Sequence, residues 1–243
     1  LAKKESTGVK HRSAIIVAGG KGTRMGVNTP KQFLLLEGKP VIIYALEAFL
    51  SLSNEIPVII VLPQEYCAEF KEFLKKNLNP EKLGQVFVVN GGQTRTLSVF
   101  NGLKRLEVYL EGNDLNNSYV AIHDAARPFI QPSLLEKAYR FAEANGNAVI
   151  CVPVKNSLRM LKKEGSFAVD RSNMYEVQTP QIFPFETIYT AYNARTGNNY
   201  TDDASLLESF GHQIFICEGD YENIKITTSE DILLGSLILK KHL

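Results

Sequence analysis

Apolar residues follow two rhythms along this chain: short unbroken runs, and longer stretches spaced three and four apart. Ala14-Ile15-Ile16-Val17-Ala18 is unbroken, which predicts a strand buried on both faces. Val58–Leu62, Val86–Val89, Tyr119–Ile122 and Ala148–Val152 repeat the pattern. Between them lie helical spacings. Pro40 opens one, with Ile43, Leu46, Phe49 and Leu50 on a common face. Gln64 to Leu78 reads as a charged amphipathic helix. Thr94 to Leu106 carries Leu97, Phe100 and Leu103 on one side, and Pro132 starts a helix that runs to Gly146. Strands that alternate with helices predict a parallel sheet covered on both faces. The expected fold class is α/β, a Rossmann-like, doubly wound and mostly parallel sheet.

The rhythm breaks after Val152. Residues 155–183 hold short alternating segments around a charged turn, Lys163-Glu164-Gly165, which predicts a β-hairpin arm projecting from the domain. The stretch is longer and more polar than the links of about 2–6 residues usual inside compact domains. An isolated hairpin is marginal in water, so the arm needs a surface, and a two-fold dimer exchanging arms supplies one. Helical spacing resumes at Phe185–Ala194 and after Thr201, with a strand expected at Gln213–Cys217 and an extended piece at Asn223–Ile226. Thr228 can cap the last helix, with Asp231 as its capping-box partner. Residues 1–243 read as one domain, with Glu111–Ser118 a polar surface turn.

Composition narrows the possible functions. The 243 residues carry a net charge of +1, so no global field draws in nucleic acid or an anionic membrane. Anion binding must come from a local cluster. No apolar run approaches the ~20 residues that span a bilayer. Leu1–Ser6 is polar and lacks the apolar core of a signal peptide. Cys67, Cys151 and Cys217 are far apart with no metal-ligand spacing, and the last two sit in apolar runs and read as buried thiols. A cytoplasmic location is expected.

The chemistry concentrates where the first strand ends. Ala18-Gly19-Gly20-Lys21-Gly22-Thr23-Arg24-Met25-Gly26 is followed by Pro30-Lys31-Gln32. Glycines let backbone N–H groups approach an anion closely, and the basic side chains add charge. No window matches the P-loop pattern, and Met25 breaks the dinucleotide fingerprint at its third glycine. A phosphate cradle for a nucleotide-handling enzyme remains. Ligands in such sheets bind beyond the carboxyl ends of the strands. This loop, Gly91-Gly92 and Asp124 all follow predicted strand ends. His123 reads as a packed strand-end histidine. Ser/His/Asp or Cys/His groupings for nucleophilic catalysis are not suggested.

Five separated blocks then resemble one family, the 2-C-methyl-D-erythritol 4-phosphate cytidylyltransferases. They are Gly19–Met25 with Pro30–Gln32; Gly91-Gly92 with Arg95 and Ser98; His123-Asp124-Ala125-Ala126-Arg127-Pro128; Val169-Asp170-Arg171 with Gln178-Thr179-Pro180-Gln181; and Thr201-Asp202-Asp203-Ala204-Ser205 with Asn223-Ile224-Lys225. The resemblance runs from Ala14 to about Leu239. It implies that a polyol phosphate attacks the α-phosphate of CTP and expels pyrophosphate. A phosphate monoester is already anionic at neutral pH, so positioning and electrostatics carry the catalysis rather than a general base.

The resemblance implies catalytic roles for Arg24, Lys31, Arg171 and Lys225. It places CTP against Ala18, Gly19, Gly20, Gly22, Thr23, Gly91, Gly92, Ser98 and Asp124, with Gly91-Gly92 and Ser98 reading the base. A side chain at Gly92 is expected to crowd that base. The second substrate's phosphate falls to Ser157, Arg171, Thr179, Thr201 and Lys225. Mg²⁺ is the implied cofactor, held mostly by phosphates and water, with Asp124 in contact with it or with ribose. The family's arm crosses to a partner subunit, so a homodimer is implied, with Arg171 acting across the interface. Arg127 is as well suited to tying its loop down as to touching ligand. One departure stands in the arm, where Asn156-Ser157 replaces the family's common Asp-Thr. Alternatives are a ribitol-5-phosphate cytidylyltransferase, sharing the chemistry on another polyol phosphate, and a non-catalytic nucleotide-binding module. A dehydrogenase is disfavoured by the broken fingerprint.

Overall fold

The computed structural model describes residues 10–18, 30–53, 55–111, 115–197 and 200–241, with the side chains of Lys31 and Asn116 excepted. The elements are, in order, β1 (His11–Val17), β2 (Leu35–Leu36), β3 (Lys39–Pro40), α1 (Val41–Leu50), β4 (Val58–Leu62), α2 (Gln64–Asn77), α3 (Pro80–Leu83), β5 (Val86–Asn90) and α4 (Arg95–Leu110). Then come β6 (Ser118–Asp124), α5 (Pro132–Asn145), β7 (Ala148–Pro153), β8 (Leu158–Lys162), β9 (Gly165–Val169) and β10 (Tyr175–Pro184). The chain continues with α6 (Phe185–Ala194), α7 (Asp203–Ser209), β11 (Ile216–Glu218) and α8 (Ser229–Lys241).

Among the described residues the main sheet has seven strands in the order β11-β7-β10-β6-β1-β4-β5. The β1–β4, β1–β6, β4–β5 and β7–β11 pairs are parallel. Side chains along β1 alternate between two cores. Ala14 and Ile16 face the layer of α1, α2 and α5, whereas Ile15 and Val17 face that of α4, α6 and α7. Both Ile15 and Ile16 are fully buried, and truncating either to alanine would cost about 2–5 kcal/mol. The expected doubly wound, mostly parallel α/β fold is the one observed. The helix from Pro132 stops as predicted, because Gly146 takes the left-handed conformation at φ +99° and its N–H closes on the Ala142 carbonyl.

Residues 155–183 depart from the expectation. The hairpin is real but shorter: β8 pairs with β9, and Gly165 turns between them at φ +130°. The remainder is not arm. β10 runs through the middle of the main sheet, antiparallel to both β6 and β7. The stretch from Gln178 to Phe183 is buried. A bulge between Val177 and Gln181 shifts its register against β7. The strand expected at Gln213–Cys217 is also displaced, to Ile216–Glu218. Asp231 behaves as a capping partner, its carboxylate accepting the backbone N–H groups of Thr227 and Thr228.

Candidate active site

Strand order reverses around β1, with β4 on one side and β6 on the other. Such a switch opens a crevice at the carboxyl ends of the strands. Val17, the last residue of β1, lies in register with Asp124, the last of β6. The glycine loop therefore departs beside Asp124. Gly19, Gly20, Lys21, Gly22, Thr23 and Arg24 lie outside the described residues. The two ends of that segment are described. Ala18 is buried and donates its N–H to Val61. The buried Gln32 side chain donates to the Ala18 carbonyl at 2.6 Å. Lys31 thus leaves from a short 3₁₀ turn, Lys31–Phe33, pinned to the end of β1.

Asp124 is the centre of a charged chain. Its Oδ2 accepts Lys225 Nζ at 2.6 Å and its Oδ1 accepts Arg95 Nε at 3.1 Å. Arg95 turns its two Nη atoms to Asp203, at 3.1 and 2.7 Å. Asp203 is fully buried and also accepts the Tyr192 hydroxyl. Burial opposes the Asp124 charge, yet Arg95 and Lys225 outweigh it and hold this carboxyl well below the usual carboxylate range. For Arg95, burial is likewise overcome by Asp203 and Asp124. Lys225 keeps 43% of its side chain exposed among the described residues.

Thr179, on β10, supports Asp124 from below. Its hydroxyl accepts the Asp124 N–H at 3.0 Å and lies 3.1 Å from His123 Nδ1. His123 Nε2 lies 3.0 Å from the Arg127 carbonyl. A carbonyl only accepts, so His123 carries its proton on Nε2 and Nδ1 takes the Thr179 proton. Burial drives the His123 pKa down to about 4, and the ring is neutral at physiological pH, as a packed histidine. Arg127 is a tie for this loop, its Nη atoms donating to the carbonyls of Asn223 and Val177. These bonds give it the structural one of its two expected roles. It also fixes the segment that carries Lys225, together with the Ile226 N–H bond to Ala126 O.

Gly91 and Gly92 follow β5 and lie against the start of α4. Gly91 N–H donates to Leu62 O, and Gly92 N–H donates to Ser98 Oγ at 3.0 Å. Ser98 is fully buried, so it fixes the loop's shape rather than standing open to a base. A Cβ at Gly92 would lie 2.3 Å from Leu97 Cβ. The glycine is needed for close approach of loop and helix, so a side chain there would meet Leu97.

The remaining candidates are not part of this cluster. Ser157 and Arg171 are exposed, at either end of the β8–β9 hairpin. Arg171 has no side-chain partner among the described residues. Thr201 is exposed and bonds Ser205, beside the capping box in which Asp202 starts α7. Arg95 and Asp203 stand in the family-like blocks, but neither receives a role from the sequence. Their signal was an arginine at the first turn of α4 and a second acid after the Asp202 cap. No group of three or more His, Cys, Asp or Glu side chains that would hold a metal occurs among the described residues. Both oxygens of Asp124 already carry one cationic partner, and each keeps a lone pair. The three cysteines are free and buried. No described helix is long and apolar enough to cross a membrane.

Comparison with known proteins agrees with this geometry. A chain from Bacteroides thetaiotaomicron named 2-C-methyl-D-erythritol 4-phosphate cytidylyltransferase is 39% identical over 229 residues, covering 94% of this chain and 99% of the relative. One of the same name from Clostridium botulinum is 38% identical over 238 residues, covering 94% and 99%. The crystal structure of 4-diphosphocytidyl-2C-methyl-D-erythritol synthase from Anaerococcus prevotii superposes with a TM-score of 0.76 at 30% identity, covering 95% of this chain and 99% of that one. The sequence profile of a single family matches residues 13–241, nearly everything from β1 to the end of α8. By that match and by its relatives, the chain belongs to the 2-C-methyl-D-erythritol 4-phosphate cytidylyltransferase family.

Proposed function

We propose that this protein joins CTP and 2-C-methyl-D-erythritol 4-phosphate into the CDP-methylerythritol product and pyrophosphate, a step of non-mevalonate isoprenoid synthesis. The observation that carries the reading is the Asp124–Lys225 pair at the carboxyl edge of the sheet, beside the point where the glycine loop departs. A phosphate oxygen of the polyol attacks the α-phosphorus of CTP. That bond forms as the bond from the α-phosphorus to the bridging oxygen breaks, and the electron pair leaves with pyrophosphate. Charge must be neutralised on both reacting partners. Arg24 and Lys31 serve the CTP phosphates. Lys225, held by Asp124 yet partly exposed, serves the polyol phosphate, as does Arg171.

Mg²⁺ fits this site. It takes most of its ligands from phosphates and water, so one carboxylate with lone pairs to spare, Asp124, suffices on the protein side. The cation's contribution is to neutralise phosphate charge. Ala18, Gly91 and Gly92 bring backbone groups to the nucleotide, and Ser98 acts on the base through Gly92. Arg171, exposed at the foot of the hairpin, would serve a site completed by a second chain, and a homodimer supplies that chain. Exposed Met160, Leu161 and Phe167 on the hairpin suit such a contact. A cytoplasmic location accords with three free, buried thiols.

The test is pyrophosphate release with CTP, Mg²⁺ and either polyol phosphate. Turnover with methylerythritol phosphate far above that with ribitol 5-phosphate is expected. The reverse preference would make the protein the ribitol enzyme. CTP binding with no release from either would make it a binding module.

A further inference from the structure

Asp203 lies two steps from any group expected to touch substrate, yet its geometry decides where Lys225 points. A guanidinium offers a two-nitrogen end and a side-on Nε. Asp203 takes the two-nitrogen end of Arg95, at 3.1 and 2.7 Å. Nε then faces Asp124, and it engages Oδ1 alone. Oδ2 is thereby kept for Lys225. Asp203 itself cannot turn: it is fully buried at the first position of α7 and tied to the Tyr192 hydroxyl. Were Asp203 absent, Arg95 would be free to swing its two-nitrogen end onto both Asp124 oxygens, the arrangement carboxylates favour. Lys225 would then lose its partner.

We propose that Asp203 is a positioning residue for the second substrate: by occupying the Arg95 fork it reserves one Asp124 oxygen for Lys225, and so aims the ammonium that receives the polyol phosphate. The proposal rests on the reading of Lys225 as a phosphate ligand. Asp203→Asn keeps the shape but turns one oxygen into an N–H donor that repels an Nη.

The test has two parts, one free of substrate. Trace labelling with acetic anhydride, read residue by residue by mass spectrometry, reports how tightly Lys225 is held. Its reactivity should rise several-fold in Asp203→Asn, with other lysines unchanged. Asp203→Ser, which also releases the Arg95 fork, should do the same and serves if Asp203→Asn does not fold. In kinetics, Asp203→Asn should raise KM for the polyol phosphate about tenfold, and by more than it raises KM for CTP, since Lys225 is displaced outright. In a Lys225→Gln background it should cost nothing further. Unchanged Lys225 labelling in a folded variant, or losses that multiply in the double variant, would overturn the relay. The labelling stands whatever polyol phosphate the wild type prefers, so it fails separately from the functional reading.

Discussion

The Gln32 side chain donates to the carbonyl of Ala18 at 2.6 Å, and so ties the turn that carries Lys31 to the end of the first strand. Gln32 is buried, and its amide holds the exit and return of the glycine segment together. Gln32→Leu should cost about 1–2 kcal/mol of stability, the usual loss when a buried carbonyl forfeits its donor. It should also lower kcat about tenfold, because Arg24 and Lys31 depart from a looser frame. Urea unfolding and steady-state kinetics separate the two. A stability loss with unchanged kcat would make Gln32 purely structural.

Lys31 is assigned to charge that develops as pyrophosphate leaves. Lys31→Ala should lower kcat by about 10²-fold or more, in the range seen when such donors are removed. A raised KM for CTP with normal kcat would reduce it to a ground-state ligand.

Gly92 abuts α4 so closely that an added Cβ would sit 2.3 Å from that of Leu97. Gly92→Ala should therefore cost about 1–3 kcal/mol as the helix start shifts. Leu97→Gly removes the opposing atom, so the double variant should lose less than the sum of the single ones. Additive losses would place the constraint elsewhere. The same shift moves the Gly92–Ser98 bond, and CTP use should fall in parallel with stability.

His123 makes folding pH-dependent. Burial lowers its pKa from 6.5 to about 4. Between those values the unfolded chain binds a proton that the folded chain refuses. Stability should fall as pH drops from about 6.5 toward 4, by roughly 3 kcal/mol in all. Asp124 acts in a lower window, since its depressed pKa gives stability that is lost only as pH falls below the ordinary aspartate value. Urea midpoints at pH 7, 5.5 and 4.5 should decline in the wild type and decline less in His123→Gln. Equal slopes would remove His123 as the cause.

The hairpin exposes Leu161 to 83% and carries Arg171 at its base. If Arg171 acts in trans, two inactive variants should complement. A mixed dimer of Arg171→Ala and Lys31→Ala chains holds one doubly damaged site and one intact site. Random exchange should restore up to about a quarter of wild-type activity, by the symmetry of a two-fold pair. No recovery despite confirmed exchange would mean that Arg171 serves its own chain.

The sequence by itself determined the elements whose local pattern has one solution. β1, β4, β5, β6 and β7 are unbroken apolar runs, and an apolar run that short between helices has only a buried strand to become. The glycine loop and Asp124 were legible because they follow predicted strand ends, where ligands bind in such sheets; Lys225 was legible only through the family resemblance. Only the tertiary structure decided β10. Gln178, Thr179 and Gln181 look like surface residues in sequence and are buried in the sheet. Their partners, the Asp220 carbonyl, the Asp124 N–H and the Asp202 carboxylate, lie far away along the chain. A strand's polar pattern carries no record of which neighbours will satisfy it. The gap between β6 and β7 exists only once the sheet has formed. The link from Asp203 through Arg95 to Asp124 was hidden for the same reason. Arg95 and Asp203 stand 108 positions apart, and charged residues at such a separation read as solvated until folding buries them together and makes each a partner for the other's charge.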